Sequence, residues 1–249
     1  MQTYLRLWLS ARQVAGRLRL EGAFCVSPEA IYQHICQDKC GGGDLASYLR
    51  CQKVRRKRYG SGQERRGVLK NRICIEQRPA IVAEKSRIGD WEGDTVIGKD
   101  HRGALVTLVE RYSRYTLSQR ADSRHSTGVT QRIIELLRPH KNQCLTITFD
   151  NGKEFAEHAF IARCLDTDVY FAHPYHSWER GLKESTNGLL RQYFPKSTDF
   201  LRVSHEEVNE AVYRLNHRPR KCLGCRTPHE GFHECEVQPI KLAAAALCS

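Results

Sequence analysis

Three acidic side chains occupy positions from which they could grip hard cations. Asp150 follows the apolar run CLTITF (144–149) and precedes Asn151-Gly152. An acid at the carboxyl end of a core strand, beside a turn, sits where open α/β sheets hold ligands. It reads equally as the N-cap of a helix starting at Lys153. Asp94 lies in WEGD, where strand alternation sets Glu92 and Asp94 on one face and Trp91 on the other. A carboxylate in mid-strand is costly unless paired or metal-bound. Asp90 shares that face and rivals Asp94. Glu184 sits in ERGLKESTNGLLRQYFP, a helical stretch where Arg180, Glu184, Asn187 and Arg191 fall near one face and Lys183 adjoins it. Taken alone, Glu184 reads as a surface ion pair. Together the three acids suit phosphodiester chemistry, in which carboxylates converge on two Mg²⁺ ions about 3.5–4 Å apart.

The elements that must position these acids follow from the hydropathy pattern. Residues 88–97, 103–110 and 115–120 read as three strands, the first two paired across a turn at 99–103. Residues 126–137 are helical, with Val129, Ile133, Ile134 and Leu137 on one side, and Pro139 stops them. Residues 144–149 form a buried strand, a helix covers 155–164, and a last strand covers 169–172. Helices follow over about 178–194 and from Ser204, where Glu207 completes a capping box. The order β-β-β-α-β-α-β-α-α predicts an α/β fold, a mixed five-stranded sheet flanked by helices.

Upstream, composition marks two further regions. Residues 1–45 are helical: Ser10 and Gln13 form a capping box, Gly22 falls in a turn, and Ser27-Pro28 opens a second helix. Two short helices around a glycine turn suggest part of a helix-turn-helix, or a helical hairpin that touches no DNA. Residues 46–80 form a basic linker. Between Arg50 and Arg72 there are ten Lys or Arg and a single acid, Glu64. Arg55, Arg56, Lys57 and Arg58 could track phosphates or form a solvated face. Residues 81–249 hold the sheet and the C-terminal helices.

The formal charge of +12 points to a polyanionic partner. No run is apolar enough to span a membrane, and Arg6 and Arg12 break the only stretch resembling a signal peptide. The protein is therefore expected in the cytoplasm, with its eleven cysteines as free thiols. Cys222, Cys225, His229, His233 and Cys235 lie close in sequence, but the last three spacings match no zinc-ribbon or finger pattern.

The motifs RIGDWEGDTVIG, TLVERYSRYTL, TFDNGKEF, YFAHPYHSWERG, ESTNGLLRQYFPK and LNHRPRK run from Arg87 to about Pro228. This stretch closely resembles transposases of the insertion-sequence-thirty family, which share the ribonuclease-H-like core of retroviral integrases. The 34 positions from Asp150 to Glu184 agree with that family. VSPEAIYQHI, GGGDLASYLR and RRKRYG resemble its upstream region. The resemblance implies that Asp94, Asp150 and Glu184 are the catalytic, metal-holding acids, with Mg²⁺ or Mn²⁺ bound. It implies that Trp178, Arg180, Gly181, Thr186, Asn187, Gly188 and Arg191 position the helix and meet DNA, with Lys183 beside them. Double-stranded DNA, both element terminal repeats and target, is the implied partner, and a homo-oligomer the implied acting form.

The sequence also departs from the family pattern. Lys183 and Ser185 stand where relatives carry Asn, Cys225 replaces an aromatic residue, and Gly231 and His233 replace apolar residues. The family's further upstream helix-turn-helix is missing, so the chain reads as N-terminally shortened. The expected activity is metal-dependent DNA cleavage and strand transfer. A DNA-binding remnant without catalysis is the alternative, and a ribonuclease acting on hybrids a third reading.

Overall fold

The computed structural model describes residues 1–49, 72–123, 125–173, 181–237 and 239–240; of residues 101 and 181–184 it describes the backbone only. In chain order the regular elements begin with helices α1 (Gln2–Arg6), α2 (Ala11–Leu20), α3 (Pro28–Cys40) and α4 (Ala80–Glu84). Strands β1 (Asp90–Ile97), β2 (Ala104–Glu110) and β3 (Thr116–Ala121) follow, then α5 (Ser126–Leu137), β4 (Thr146–Phe149), α6 (His158–Leu165) and β5 (Asp168–Phe171). Helices α7 (Gly181–Tyr193), α8 (His205–Asn216) and α9 (Pro228–Phe232) complete the series.

The chain divides into two compact units, Met1–Gly62 with His217–Ser249, and Gln63–Asn216. The sequence had grouped everything from 81 to 249 together. The division at His217 has a local cause. Arg17 of α2, fully buried, donates to both carboxylate oxygens of Glu230 of α9 at 2.7 and 2.6 Å, and its Nε reaches Glu21 at 2.7 Å. A buried guanidinium must be paired on all sides, so this fork fixes the C-terminal residues to the first helices. Tyr4, Leu5, Leu9, Val14, Leu18, Ile31 and Ile35 form the apolar core of this unit. Ser10 and Gln13 make the capping box, and Ser27 caps α3 with Pro28 at its first position.

The second unit is built on a five-stranded sheet of order β3-β2-β1-β4-β5. β1–β2 and β2–β3 are antiparallel; β1–β4 and β4–β5 are parallel. The strands start and stop within two residues of expectation, and from β1 to α8 the strands and α-helices follow the order read from hydropathy; α4 before them was not expected. Alternation along β1 separates two faces. Val96 and Leu105 meet Leu189 and Leu190 of α7, Phe194 just after it, and Val208, Ala211 and Leu215 of α8 on one face. On the other, Phe149 stacks on Phe155 with ring centres 4.3 Å apart, and His158 of α6 meets Phe171 edge-on. Val129, Ile133 and Leu137 of α5 are fully buried. Burying each such side chain contributes roughly 1.5–3 kcal/mol. Ser204 and Glu207 make the expected capping box at the start of α8. Among the described residues, no helix is long and apolar enough to cross a membrane.

Candidate active site

Asp90, Glu92 and Asp94 alternate onto one face of β1, and each meets different partners. Asp90 accepts two hydrogen bonds from Arg87, at 2.9 and 3.1 Å, and one from Thr146 Oγ1 at 2.8 Å. Glu92 is ion-paired with Arg111, whose Nε also donates to Val82 O. Both acids are thus neutralised inside the protein, as buried carboxylates must be. Asp94 is met differently: Asn187 Nδ2, from α7, donates to its Oδ2 at 2.6 Å.

The register of β1 against β4 brings in the second acid. Asp90 lies opposite Thr146, Trp91 opposite Ile147 and Glu92 opposite Thr148. Asp94 and Asp150 each lie two positions beyond the last pair of this register, and Asp150 directly follows the end of β4. A close approach under this pair requires glycine. A Cβ on Gly93 would stand 2.3 Å from Phe149 Cε1, so the ring fills the space a side chain would take. The helical turn that starts at Lys153 is a 3₁₀ turn, Lys153–Phe155, with Gly152 and not Asp150 as its N-cap, and α6 begins only at His158. Instead Asp150 Oδ1 accepts the Gly152 amide at 3.0 Å, folding the turn back on the carboxylate.

Glu184 lies on α7, three positions before Asn187; of its side chain, and that of Lys183, the structure describes nothing. Arg191, one turn beyond Asn187, donates to Ile97 O at 2.7 Å and Pro195 O at 3.3 Å. The first bond ties α7 to the end of β1, and burial lowers the pKa of the guanidinium. Thr186, from the same motif, is buried, and Gly188 has open space where a side chain would begin. Arg55, Arg56, Lys57, Arg58, Trp178 and Arg180 lie outside the described residues.

Sequence reading missed two neighbours of Asp150. Glu154, buried, accepts from Thr95 Oγ1 at 2.9 Å, and its carboxylate and that of Asp150 both crowd the position of a Cβ on Gly152. Asn151, also buried, accepts from Arg72 and donates to Ala172 O at 2.6 Å. The signal lay in DNGKEF itself, where an acid sits between a glycine turn and an aromatic core residue.

A model of the integrase core domain matches residues 85–177. The transposase for insertion sequence element IS4351 of Bacteroides fragilis is 45% identical over 230 residues, which cover 92% of this chain and 71% of that protein. The chain belongs to the insertion-sequence-thirty family of transposases. Two further family relatives are the transposase for IS1086 of Cupriavidus metallidurans, 36% identical over 82% of this chain, and transposase InsI for IS30A of Escherichia coli, 32% identical over 91%. The chain spans 61% of the length of each.

Among solved structures, a chain of the simian T-cell lymphotropic virus intasome, in complex with the PP2A regulatory subunit B56 gamma, superposes with a TM-score of 0.50. The match covers 90% of this family member and 80% of that chain at 18% identity, a likeness of fold. The sheet order and its flanking helices are those of the ribonuclease-H-like fold expected from the motifs.

Proposed function

We propose that this chain cuts DNA at the ends of an insertion element and joins the freed 3′ hydroxyl to target DNA. Asp94, Asp150 and Glu184 are the acids we assign to the divalent metal. The observation that carries the reading is the parallel register of β1 and β4, whose last pair, Glu92 and Thr148, stands two positions short of Asp94 and Asp150; continued at strand spacing, it would bring the two acids together on one face. The sequence relatives support the enzymatic reading over that of a DNA-binding remnant, since the match to an insertion-sequence transposase runs through nearly the whole chain.

The donors fit a hard cation. They are all oxygen, and Asn187 Oδ1 is a buried oxygen with no hydrogen-bond partner among the described residues, on the amide that holds Asp94. Mg²⁺, with Mn²⁺ as substitute, prefers such a set. When bound, it supplies Lewis-acid stabilisation of charge on the phosphate.

The remaining work falls to the protein. Asn187 orients Asp94, the Gly152 amide orients Asp150, and Arg191 keeps α7 in register with β1. Preorganised groups of this kind lower the barrier by positioning the scissile phosphate. Arg55, Arg56, Lys57, Arg58, Arg180 and Lys183 are the cations assigned to the phosphates of duplex DNA, both terminal repeats and target. Joining two ends in one complex calls for a homo-oligomer.

The test is an end-labelled duplex carrying the element terminus, incubated with Mg²⁺ and either the wild-type chain or Asp150→Asn. Wild type should nick at the terminus, and the variant should bind without nicking. Nicking that persists in the variant removes Asp150 from the mechanism. Tight binding with no nicking by wild type returns the remnant reading. A parallel RNA–DNA hybrid, cut in preference to the duplex, returns the ribonuclease reading.

A further inference from the structure

Apart from the oxygen-lined site, the core unit carries a second group of metal-binding type. Cys74 Sγ stands 3.3 Å from His173 Nε2, and the same Nε2 stands 3.3 Å from Glu76 Oε1. All three ligand atoms lie within 4.8 Å of one another. Ligands held about 2.0–2.3 Å from a tetrahedral Zn²⁺ stand roughly 3.3–3.8 Å apart. Two of the three edges therefore already have the length such an ion requires.

The backbone holds this arrangement ready. Cys74 forms a parallel bridge with Phe171 of β5, and the Phe171 amide donates to Ile73 O at 2.9 Å. Glu76 lies in the 3₁₀ turn Ile75–Gln77, closed by the Gln77 amide on Cys74 O at 3.0 Å. His173 follows β5 by two residues. Two ligands thus come from one segment and the third from just past the strand it is bonded to, so closing the site needs side-chain rotation only.

We propose that Cys74, Glu76 and His173 bind a zinc-class divalent ion, separate from the hard cation of the carboxylate site. Thiolate and imidazole select Zn²⁺ over Mg²⁺, Ca²⁺ or Mn²⁺, which favour all-oxygen sets. With the thiol deprotonated and the histidine neutral, the site carries two negative charges, matched by one divalent ion. The half-buried Cys74 and His173 and the exposed Glu76 leave a fourth position to water. The ion clasps residues 74–76 to the end of β5. That end adjoins Ala172, whose carbonyl accepts from Asn151, the residue after Asp150. The clasp therefore stiffens the catalytic edge without touching its acids.

The test uses the full-length chain stripped of metal and titrated with Co²⁺, then with Zn²⁺. Wild type should take up a single equivalent with a near-ultraviolet thiolate-to-cobalt band, displaced by Zn²⁺, and should melt at higher temperature with Zn²⁺ present. Cys74→Ser and His173→Gln should each weaken Zn²⁺ by more than about 100-fold, beyond the 10–100-fold typical of supporting residues. If Cys74→Ser fails to fold, His173→Gln alone decides. Cys222→Ser and Cys235→Ser, both at exposed thiols, should leave the band unchanged, as should Asp150→Asn. Absence of the band in wild type, or its persistence in both ligand variants, overturns the proposal. Neither result bears on whether Asp150 serves catalysis, because that variant is read separately by nicking.

Discussion

Asn187 of α7 donates a 2.6 Å hydrogen bond to Asp94 of β1, a residue 93 positions earlier. The bond joins the helix that carries Glu184 to the strand that carries Asp94. The apolar seam of Leu189, Leu190 and Phe194 against Val96 and Leu105 holds the helix there. On the function proposed above, Asn187 is a positioning residue whose effect on chemistry passes through Asp94.

Asn187→Ala should lower the rate of end cleavage by about 10–100-fold, the usual cost of losing a group that orients a metal ligand. The Mg²⁺ concentration needed for half-maximal rate should rise at the same time, while the thermal melt changes little. A merely structural role would move the melt and leave the Mg²⁺ dependence as in wild type.

Gly93→Ala tests the packing beneath the two acids. The new methyl would meet the Phe149 ring at 2.3 and 2.6 Å. Overpacking of this kind costs about 1–3 kcal/mol, readable as a lower urea midpoint at constant slope. Unchanged stability would show that Phe149 can move aside.

His229 should give the first unit an acid-sensitive limb. Burial, then the neighbouring His217 and His233, lower its pKa from the ordinary 6.5, against a smaller opposing pull from Glu230. The unfolded chain therefore takes up the proton first, and stability declines as pH falls below 6.5 toward the lower folded value. Above 6.5 the residue is neutral in both states and contributes no slope. Thermal melts between pH 7.5 and 5 should fall more steeply for wild type than for His229→Gln. Parallel curves would contradict this.

DNA affinity should be strongly salt-dependent. Replacing Arg55, Arg56, Lys57 and Arg58 together by Gln should reduce the slope of log affinity against log salt by up to about 3–4, if each meets one phosphate of duplex DNA. Fluorescence anisotropy across a salt series measures this, and an unchanged slope removes the basic run from the interface.

Local rules made much of this protein legible without coordinates. The caps at Ser10, Ser27 and Ser204 use partners within three residues, so sequence order alone specifies them. Alternation set Glu92 and Asp94 opposite Trp91 along β1, and hydropathy gave the succession of strands and helices along the chain. Strand alternation alone separated Asp94 only weakly from its rival Asp90 on the same face, and the choice of Asp94 came from the family motif. The partners that distinguish Asp90, Glu92 and Asp94 are brought by other elements: Thr146 from β4, Arg111 from the loop after β2, and Asn187 from α7. The same holds for the Arg17–Glu230 fork, 213 positions apart, and for Cys74 and His173, 99 apart. Side-chain type and spacing are written in the chain. Which buried charge finds which partner depends on how sheet and helices close around it, and that only the tertiary structure decides.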